Sequence, residues 1–522
     1  MADLIFKNGA IYTVDKRRPR VSALAVKAGK IAALGNDDEI EALKTGETPV
    51  VDLEGRTLLP GFHDSHVHFA DGGAYLMGID LRDAADEAEF GSRVREFAAH
   101  LPQGEWITGG NWDHETWPSH RFPHRNIIDS FTAHHPVFVH RIDIHIALAN
   151  GPALKLAGIG PDTPDPEGGE IERDPVTGEP TGILKDTAMD LVKKMIPPPN
   201  RERNIAAIER AMAHAGSMGI TSIGDNSSGD DFSVYQELEA AGRLTVRVNR
   251  WCPVSDLGAL RQLGIRPPFG NAMLRMGTVK MFVDGSLGAG TAWLRAPYSD
   301  DSGSTGIAIY PIEEVERLVL EADRGNVQLA IHALGDRAVS VVLDALEKAV
   351  AVNGVRDARH RIEHAQLMDP ADFQRFRRLG VIASLQPVHC LDDQRWLGRR
   401  IGERERLAHP VQSFIRNGVP VILGTDWAVA PLNPMLSIMA AVTRNGWFPE
   451  EGLSLEQAVE AYTLTPAFAE FQEHVKGSLE IGKVADLVVL DRDIFQTDPE
   501  ALGDVNVDMT IFNGDIIYTR PQ

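Results

Sequence analysis

Cysteine is nearly absent from this chain, since only Cys252 and Cys390 occur among its 522 residues. Two isolated cysteines exclude a disulfide framework, and without a C-x-x-C pair they do not form a thiolate metal site. No run of about 18 apolar residues occurs, so a transmembrane helix is not expected. The first residues, MADLIFKNGAIYTV, also lack the basic and apolar regions of a secretory signal peptide. These absences predict a protein of the reducing cytoplasm.

Positive charge is scarce as well. Lys and Arg number 52 against 74 Asp and Glu, which leaves a formal net charge of -22. Proteins that bind nucleic acids or anionic membrane surfaces need a basic face, so neither partner is expected. The expected partners are a small-molecule substrate and a second copy of the chain in a homodimer.

Both ends of the chain read as short strands joined by turns. Polar and apolar residues alternate, and Asn-Gly, Ala-Gly and Glu-Gly pairs interrupt them. We therefore expect one small β-sandwich domain built from residues 1–57 and 476–522.

The middle of the chain alternates short apolar runs with stretches of helical periodicity. Eight such runs predict an α/β fold, a (β/α)8 TIM barrel over residues 58–475, with an inserted subdomain at about 70–215 after the first strand. The eight runs span 61–68, 219–225, 247–253, 278–285, 327–336, 361–367, 381–387 and 419–426.

Polar residues stand near the ends of these runs, where a parallel barrel carries its chemistry. His66 and His68 are two apart, so both face the same side of a strand. Each polar residue alone has an ordinary structural explanation, but together they predict a metal site. The predicted set is His66, His68, Lys280, His332, His364 and Asp426. Neutral imidazoles and a carboxylate suit Zn²⁺, whereas a charged lysine beside cations is repelled. Lys280 is therefore expected to lose its proton or to react with carbon dioxide, giving an anionic carbamate that bridges two metals.

Several motifs resemble the metal-dependent amidohydrolase superfamily, in particular its YtcJ-like branch (amidohydrolase family 3), which includes N-substituted formamide deformylase. They are LPGFHDSHVHF, VKMFVDGSLG, IHALGD, RIEHAQ, SLQPVH, GTDWAVAPLNP and GSLEIGKVADLVVLD. The resemblance implies a distorted (β/α)8 barrel with a small β-sandwich. It also implies that His66 and His68 hold one metal, that His332 and His364 hold a second, and that N6-carboxylated Lys280 bridges them. Some relatives use one metal, held by the strand-one pair, His332 and Asp426, and this sequence fits that arrangement too.

The implied reaction is hydrolysis of a C–N bond in an amide, an N-substituted formamide or a cyclic amide by a metal-bound hydroxide. Asp426 binds the first metal and acts as general base and then general acid. The implied cofactor is one or two divalent cations, with Zn²⁺ preferred and Mn²⁺ or Fe²⁺ as alternatives. Two other functions stay open: hydrolytic deamination of a heterocycle, and a metal-binding regulator without catalysis.

Six further residues are predicted to line the substrate pocket. Trp112, Asp113 and His114 in GGNWDHETW, and His145 in RIDIHIALAN, resemble family stretches near the active site, while Asp284 and His389 follow the fourth and seventh strands. Each also has a structural explanation, as a core, turn or loop residue.

Overall fold

The computed structural model describes residues 2–141, 146–198, 200–227, 229 and 231–521. They form two compact units. The first combines the chain up to Ala70 with the chain from Ala211 onward, and the second is Asp71–Arg210. No helix among these residues has both the length and the apolar character needed to cross a membrane.

The first unit contains a nearly closed parallel barrel, as predicted. Within the described residues its eight strands pair in chain order, and an isolated parallel bridge between Val67 and Trp427 brings the last strand to the first. A two-residue antiparallel strand, Phe269–Gly270, pairs with the fourth. The barrel strands are β1 (Phe62–Val67), β2 (Ile220–Asp225), β3 (Arg247–Pro253), β4 (Leu274–Phe282), β5 (Gln328–Ala333), β6 (Arg361–His364), β7 (Ile382–Leu385) and β8 (Val421–Leu423).

Strands β5, β7 and β8 are short apolar runs, as expected of a buried parallel sheet, whereas β1 and β6 are largely polar. Strands β1, β2, β6 and β7 are buried along their whole length. Helices cover the outside of such a barrel, because parallel strands need long crossovers. In Ile312–Arg324, for example, Val315, Leu318 and Ala322 recur at helical spacing and are buried. The α-helices of this unit are Asp37–Glu41, Asp231–Ala240, Leu257–Gln262, Ile312–Arg324, Asp336–Asn353, Phe373–Leu379, Pro387–Asp393, Leu397–Ile401, Val411–Arg416, Pro434–Thr443, Leu455–Ala461 and Leu464–Ala469.

The first unit has two more sheets, a four-stranded one from the amino-terminal residues and a six-stranded one that combines strands from both ends of the chain. A shared apolar cluster draws Phe6 and Leu24 from one sheet and Leu58 and Leu487 from the other. The strand Thr57–Pro60 leads directly into β1, so these sheets are continuous in sequence with the barrel. The four-stranded sheet has the order Lys30–Gly35, Ala23–Lys27, Leu4–Lys7, Val50–Asp52, and the six-stranded sheet has the order Asp515–Thr519, Val507–Phe512, Leu487–Leu490, Thr57–Pro60, Ala10–Tyr12, Arg20–Val21.

The second unit has its own mixed sheet and its own core. Phe90, Val94, Trp112 and Trp117 belong to one buried cluster of this unit. Its sheet has the order Gly169–Arg173, Pro180–Asp186, Ile146–Ala149, Val137–Arg141, Ile107–Trp112, Ile79–Asp80. Its α-helices are Glu87–Ala99, Asn126–Asp129, Gly151–Leu156 and Asp190–Lys193, and the helices Phe69–Leu76 and Arg201–Ser217 span its two boundaries with the first unit.

Candidate metal centre

Three of the predicted metal ligands meet where β1 and β8 end. His68 Nε2 lies 3.3 Å and His66 Nε2 lies 3.5 Å from Asp426 Oδ1. The backbone amide of Asp426 donates to the carbonyl of His66 at 2.8 Å, which fixes the two strand ends side by side. Each of the three side chains offers one ligand atom, and these atoms lie within 4.8 Å of one another. This is a geometry that one cation can bridge.

Asp426 also belongs to a second group, with His364 at the end of β6 and His389. His389 lies on the helix Pro387–Asp393, which begins just after β7. Here too the three ligand atoms lie within 4.8 Å of one another. One carboxylate is therefore shared by two sets of imidazoles, an arrangement suited to two neighbouring cations.

Lys280 and His332 complete the predicted six. Lys280 Nζ lies 3.4 Å from His66 Nε2. The ring of His332 has its centroid 4.6 Å from that of His364, and its Nε2 donates to the carbonyl of Gly285 at 3.1 Å. All six predicted side chains thus lie at the carboxyl ends of the barrel strands, although His332 belongs to neither group of ligand atoms.

His66 is oriented by Glu363, a residue that is not among the predicted site residues. His66 Nδ1–H donates to Glu363 Oε2 at 2.7 Å, so the lone pair of Nε2 faces Asp426 and Lys280. Arg361 donates to the same carboxylate and, through Nη2, to the carbonyl of Ser65 at 2.8 Å. The only signal in the sequence was the i, i+2 pair of Arg and Glu in a buried strand, because such residues share one face.

A second missed residue, Asp64, joins β1 to the chain after β8. Its Oδ1 accepts from the backbone amide of Thr425 at 2.9 Å, and its Oδ2 accepts from the Thr425 hydroxyl at 2.7 Å. Burial raises the pKa of Asp64 to about 7. Next to it, Asp426 has a positive φ of 58°, and His364 has one of 74°. A non-glycine residue held at such a positive φ destabilises the folded state by about 1–3 kcal/mol, and residues of this kind cluster at functional sites.

The protonation states suit cation binding. Burial, and then the charge of Lys280, lowers the pKa of His66 to about 4 and that of His332 to about 3. Both imidazoles are therefore neutral at pH 7 and keep a free lone pair. Burial raises the pKa of Asp426, but the nearby imidazoles of His66 and His68 outweigh it and hold this pKa well below its usual range. Burial also lowers the pKa of Lys280 to about 8, so a larger fraction of this side chain is the neutral amine at pH 7 than in an ordinary lysine.

A cavity of about 480 Å³ adjoins this centre within the first unit. His68 and Lys280 line it, together with Trp251, Phe282 and Tyr310. Trp251 comes from β3, a strand on which the sequence motifs predict no pocket residue. A larger cavity, of about 690 Å³, includes Val419 and Val421 at the amino-terminal end of β8 and contains none of the predicted ligands.

Three of the predicted pocket residues lie in the second unit. Trp112 is fully buried, and its indole N–H donates to the carbonyl of Val139 at 3.0 Å. Asp113 Oδ1 accepts from Arg141 Nη2 at 3.0 Å, and His114 Nδ1 accepts from Arg141 Nε at 3.3 Å. These contacts account for Trp112 as a core residue of its own unit, and the substrate roles of all three stay predictions. His145 lies outside the described residues.

Asp284 connects the loops that follow β4 and β5. Its carboxylate accepts from the backbone amides of Leu334 at 3.0 Å, Gly335 at 2.9 Å and Trp293 at 2.8 Å. Burial raises its pKa to about 7. The neighbouring residue Gly285 accepts the hydrogen bond of His332. The contacts of Asp284 therefore help to hold His332 in position.

Several known proteins are similar in sequence to this chain over most of its length. It is 35% identical over 94% of its length to the protein LONG AFTER FAR-RED 3 of Arabidopsis thaliana, whose length it covers to 87%. It is 31% identical to the putative amidohydrolase YtcJ of Bacillus subtilis, over 99% of both chains. It is 29% identical to the N-substituted formamide deformylase of Arthrobacter pascens, over 100% of this chain and 99% of that one.

A crystal structure of an uncharacterized metal-dependent hydrolase from Pyrococcus furiosus superposes with a TM-score of 0.78 and 31% identity, covering 95% of this chain and 99% of that one. The model of the amidohydrolase family matches residues 49–518. These matches confirm the resemblance drawn from the sequence motifs, and this chain belongs to the amidohydrolase family.

Proposed function

We propose that this hydrolase uses divalent cations to cleave a C–N bond in an amide, an N-substituted formamide or a cyclic amide. The observation that carries the proposal is the carboxylate of Asp426, which belongs both to a group of ligand atoms with His66 and His68 and to a group with His364 and His389. The relative named as an N-substituted formamide deformylase supports this bond type.

The residues present fit the proposed cations. His66 Nε2 and Asp426 Oδ1, 3.5 Å apart, both direct lone pairs into the same space, which is unfavourable unless a cation lies there. Asp426 Oδ1 is buried and has no hydrogen-bond partner among the described residues. His66, His68 and Asp426 would hold the first cation and His332 and His364 the second, with Zn²⁺ preferred over Mn²⁺ or Fe²⁺.

Lys280 is proposed to bridge the two cations as a carbamate. Its neutral amine forms an N–C bond to carbon dioxide and releases one proton, so the side chain changes from a base into an anion with two oxygens. Burial lowers its pKa to about 8 and so favours the reactive amine. Its Nζ lies 4.7 Å from the ring centroid of Phe282 and 5.4 Å from that of Trp251.

Asp426 is proposed to move the proton during hydrolysis. A divalent cation held by these residues would lower the pKa of water to roughly 7 and polarise a carbonyl oxygen. Asp426, ionised and next to both imidazole pairs, accepts the proton of the attacking water and returns it to the leaving nitrogen. The 480 Å³ cavity, lined in part by Trp251, Phe282 and Tyr310, would receive the rest of the substrate.

Metal analysis together with product analysis tests this proposal. We expect bound cations, and turnover on a panel of amides, N-substituted formamides and lactams that yields a carboxylate and an amine. Ammonia released from heterocycles would identify a deaminase instead, and bound cations without any turnover would identify a regulator. The homodimer and the cytoplasmic location stay predictions.

A further inference from the structure

His389 has a position that the metal roles drawn from the sequence do not use. Its helix starts with Pro387, whose fixed φ suits the first helical position, and its backbone amide donates to the carbonyl of Gln386 at 3.1 Å. This tight start of the helix directly after β7 places His389 at the carboxyl end of the barrel strands, beside His364 and Asp426.

Two atoms of this group lack the partners that buried polar atoms require. His389 Nε2 and Asp426 Oδ1 are both buried, and neither has a hydrogen-bond partner among the described residues. A buried polar atom left without a partner costs about 1–3 kcal/mol. Two such atoms in one group indicate a shared ligand.

The third member of the group, His364, has a ring nitrogen available to bind a cation. His364 Nδ1–H donates to Gln386 Oε1 at 2.7 Å, so its Nε2 carries the free lone pair. Two imidazoles and one carboxylate, with ligand atoms within 4.8 Å of one another, form a donor set that Zn²⁺ accepts. His332, in contrast, already uses its Nε2 in a hydrogen bond to Gly285.

We propose that His389 is a ligand of the second divalent cation, together with His364 and Asp426. This inference deepens the proposed function and rests on it. It changes the second site from a pair of imidazoles, His332 and His364, to a set that includes the residue after β7.

Cation binding tests the inference without any assay of turnover. The variants are His389→Ala and the similarly sized His389→Gln, and the control is His474→Ala, which removes an exposed histidine elsewhere in the chain. Each metal-free protein is titrated with Zn²⁺ against a chelator of known affinity, and the bound metal is counted. Cobalt-loaded samples report the ligand set of each cation through their visible spectrum.

We expect both His389 variants to bind the second cation more weakly, by more than the roughly 10–100-fold that loss of a supporting residue costs, whereas the first cation and the His474→Ala control stay unchanged. Unchanged affinities and an unchanged cobalt spectrum in the His389 variants would overturn the inference while leaving the proposed function intact. A wild-type chain that binds no cation would overturn both. Circular dichroism shows which variants are folded, and a folded His389→Gln is sufficient for the test.

Discussion

Replacing Glu363 by Gln tests whether a buried carboxylate holds His66 in position. Glu363 Oε2 accepts from His66 Nδ1 at 2.7 Å and from Arg361 Nη2 at 3.1 Å, while Oε1 accepts from Arg361 Nε. The side chains of Glu363, His66 and Arg361 are 0%, 1% and 1% exposed. Water therefore cannot replace a lost partner.

The substitution turns one oxygen into an NH₂ group that must face an N–H of Arg361 or of His66. It also leaves the guanidinium of Arg361 buried without its counter-charge. Breaking a buried ion pair costs about 3–5 kcal/mol, a large part of a typical free energy of unfolding of about 5–15 kcal/mol. Because the carboxylate also sets the tautomer of His66, we expect the affinity for Zn²⁺ to fall by roughly 10–100-fold.

Chemical denaturation of the metal-free proteins, followed by circular dichroism at pH 7, measures the first effect, and chelator competition measures the second. The control is Glu314→Gln, which removes the carboxylate of an exposed pair with Arg317 and should change neither quantity measurably. A Glu363→Gln protein within about 1 kcal/mol of wild type, with unchanged Zn²⁺ affinity, would refute the reasoning.

The pH dependence gives a further check. Burial raises the pKa of Glu363, but Arg361 and His66 outweigh it and hold this pKa below its usual range. A carboxylate with a depressed pKa contributes its stability above the unfolded-state value, about 4.3, and loses it as the pH falls through the folded-state value. The part of the stability difference between wild type and Glu363→Gln that comes from this carboxylate should therefore shrink as the pH falls below about 4.

Three other predictions concern the metal centre. Asp426→Asn should keep the fold and lose orders of magnitude in kcat, whereas the exposed Asp392→Asn should not; near-normal turnover of Asp426→Asn would remove that residue from the mechanism. A chelator should abolish turnover, and Zn²⁺ or Mn²⁺ should restore it; turnover that persists in demonstrably metal-free protein would contradict the proposal. Burial raises the pKa of Asp284 to about 7, so the folded state binds more protons than the unfolded state between about pH 4 and pH 7. Metal-free wild type should accordingly lose stability as the pH rises through this window, by at most about 4 kcal/mol from this group, and Asp284→Asn should lose less; equal slopes would show that Asp284 is ionised throughout.

The barrel and the six strand-end residues could be predicted because their signals are local. A strand such as β5 is a short, mostly apolar run, and the polar residue near its end is visible in the sequence without its neighbours. Parallel closure then brings all such ends to one mouth, so His66 and Asp426 could be paired although 360 positions separate them. The mixed sheet of the second unit was not predicted, because its short strands carry weaker periodicity and several glycines.

The linear chain thus contained the period of its apolar residues and the identity of the residues that end each strand, which sufficed for the barrel and the donor types. Folding alone selected the partners: Glu363 for His66, Thr425 for Asp64, and the grouping of the His389 ligand atom with those of His364 and Asp426. The physical reason is that periodicity determines which side of a strand a residue faces. Contact at 3 Å depends in addition on sheet register, side-chain rotamers and backbone angles such as the positive φ of His364, and these are settled only when the barrel closes.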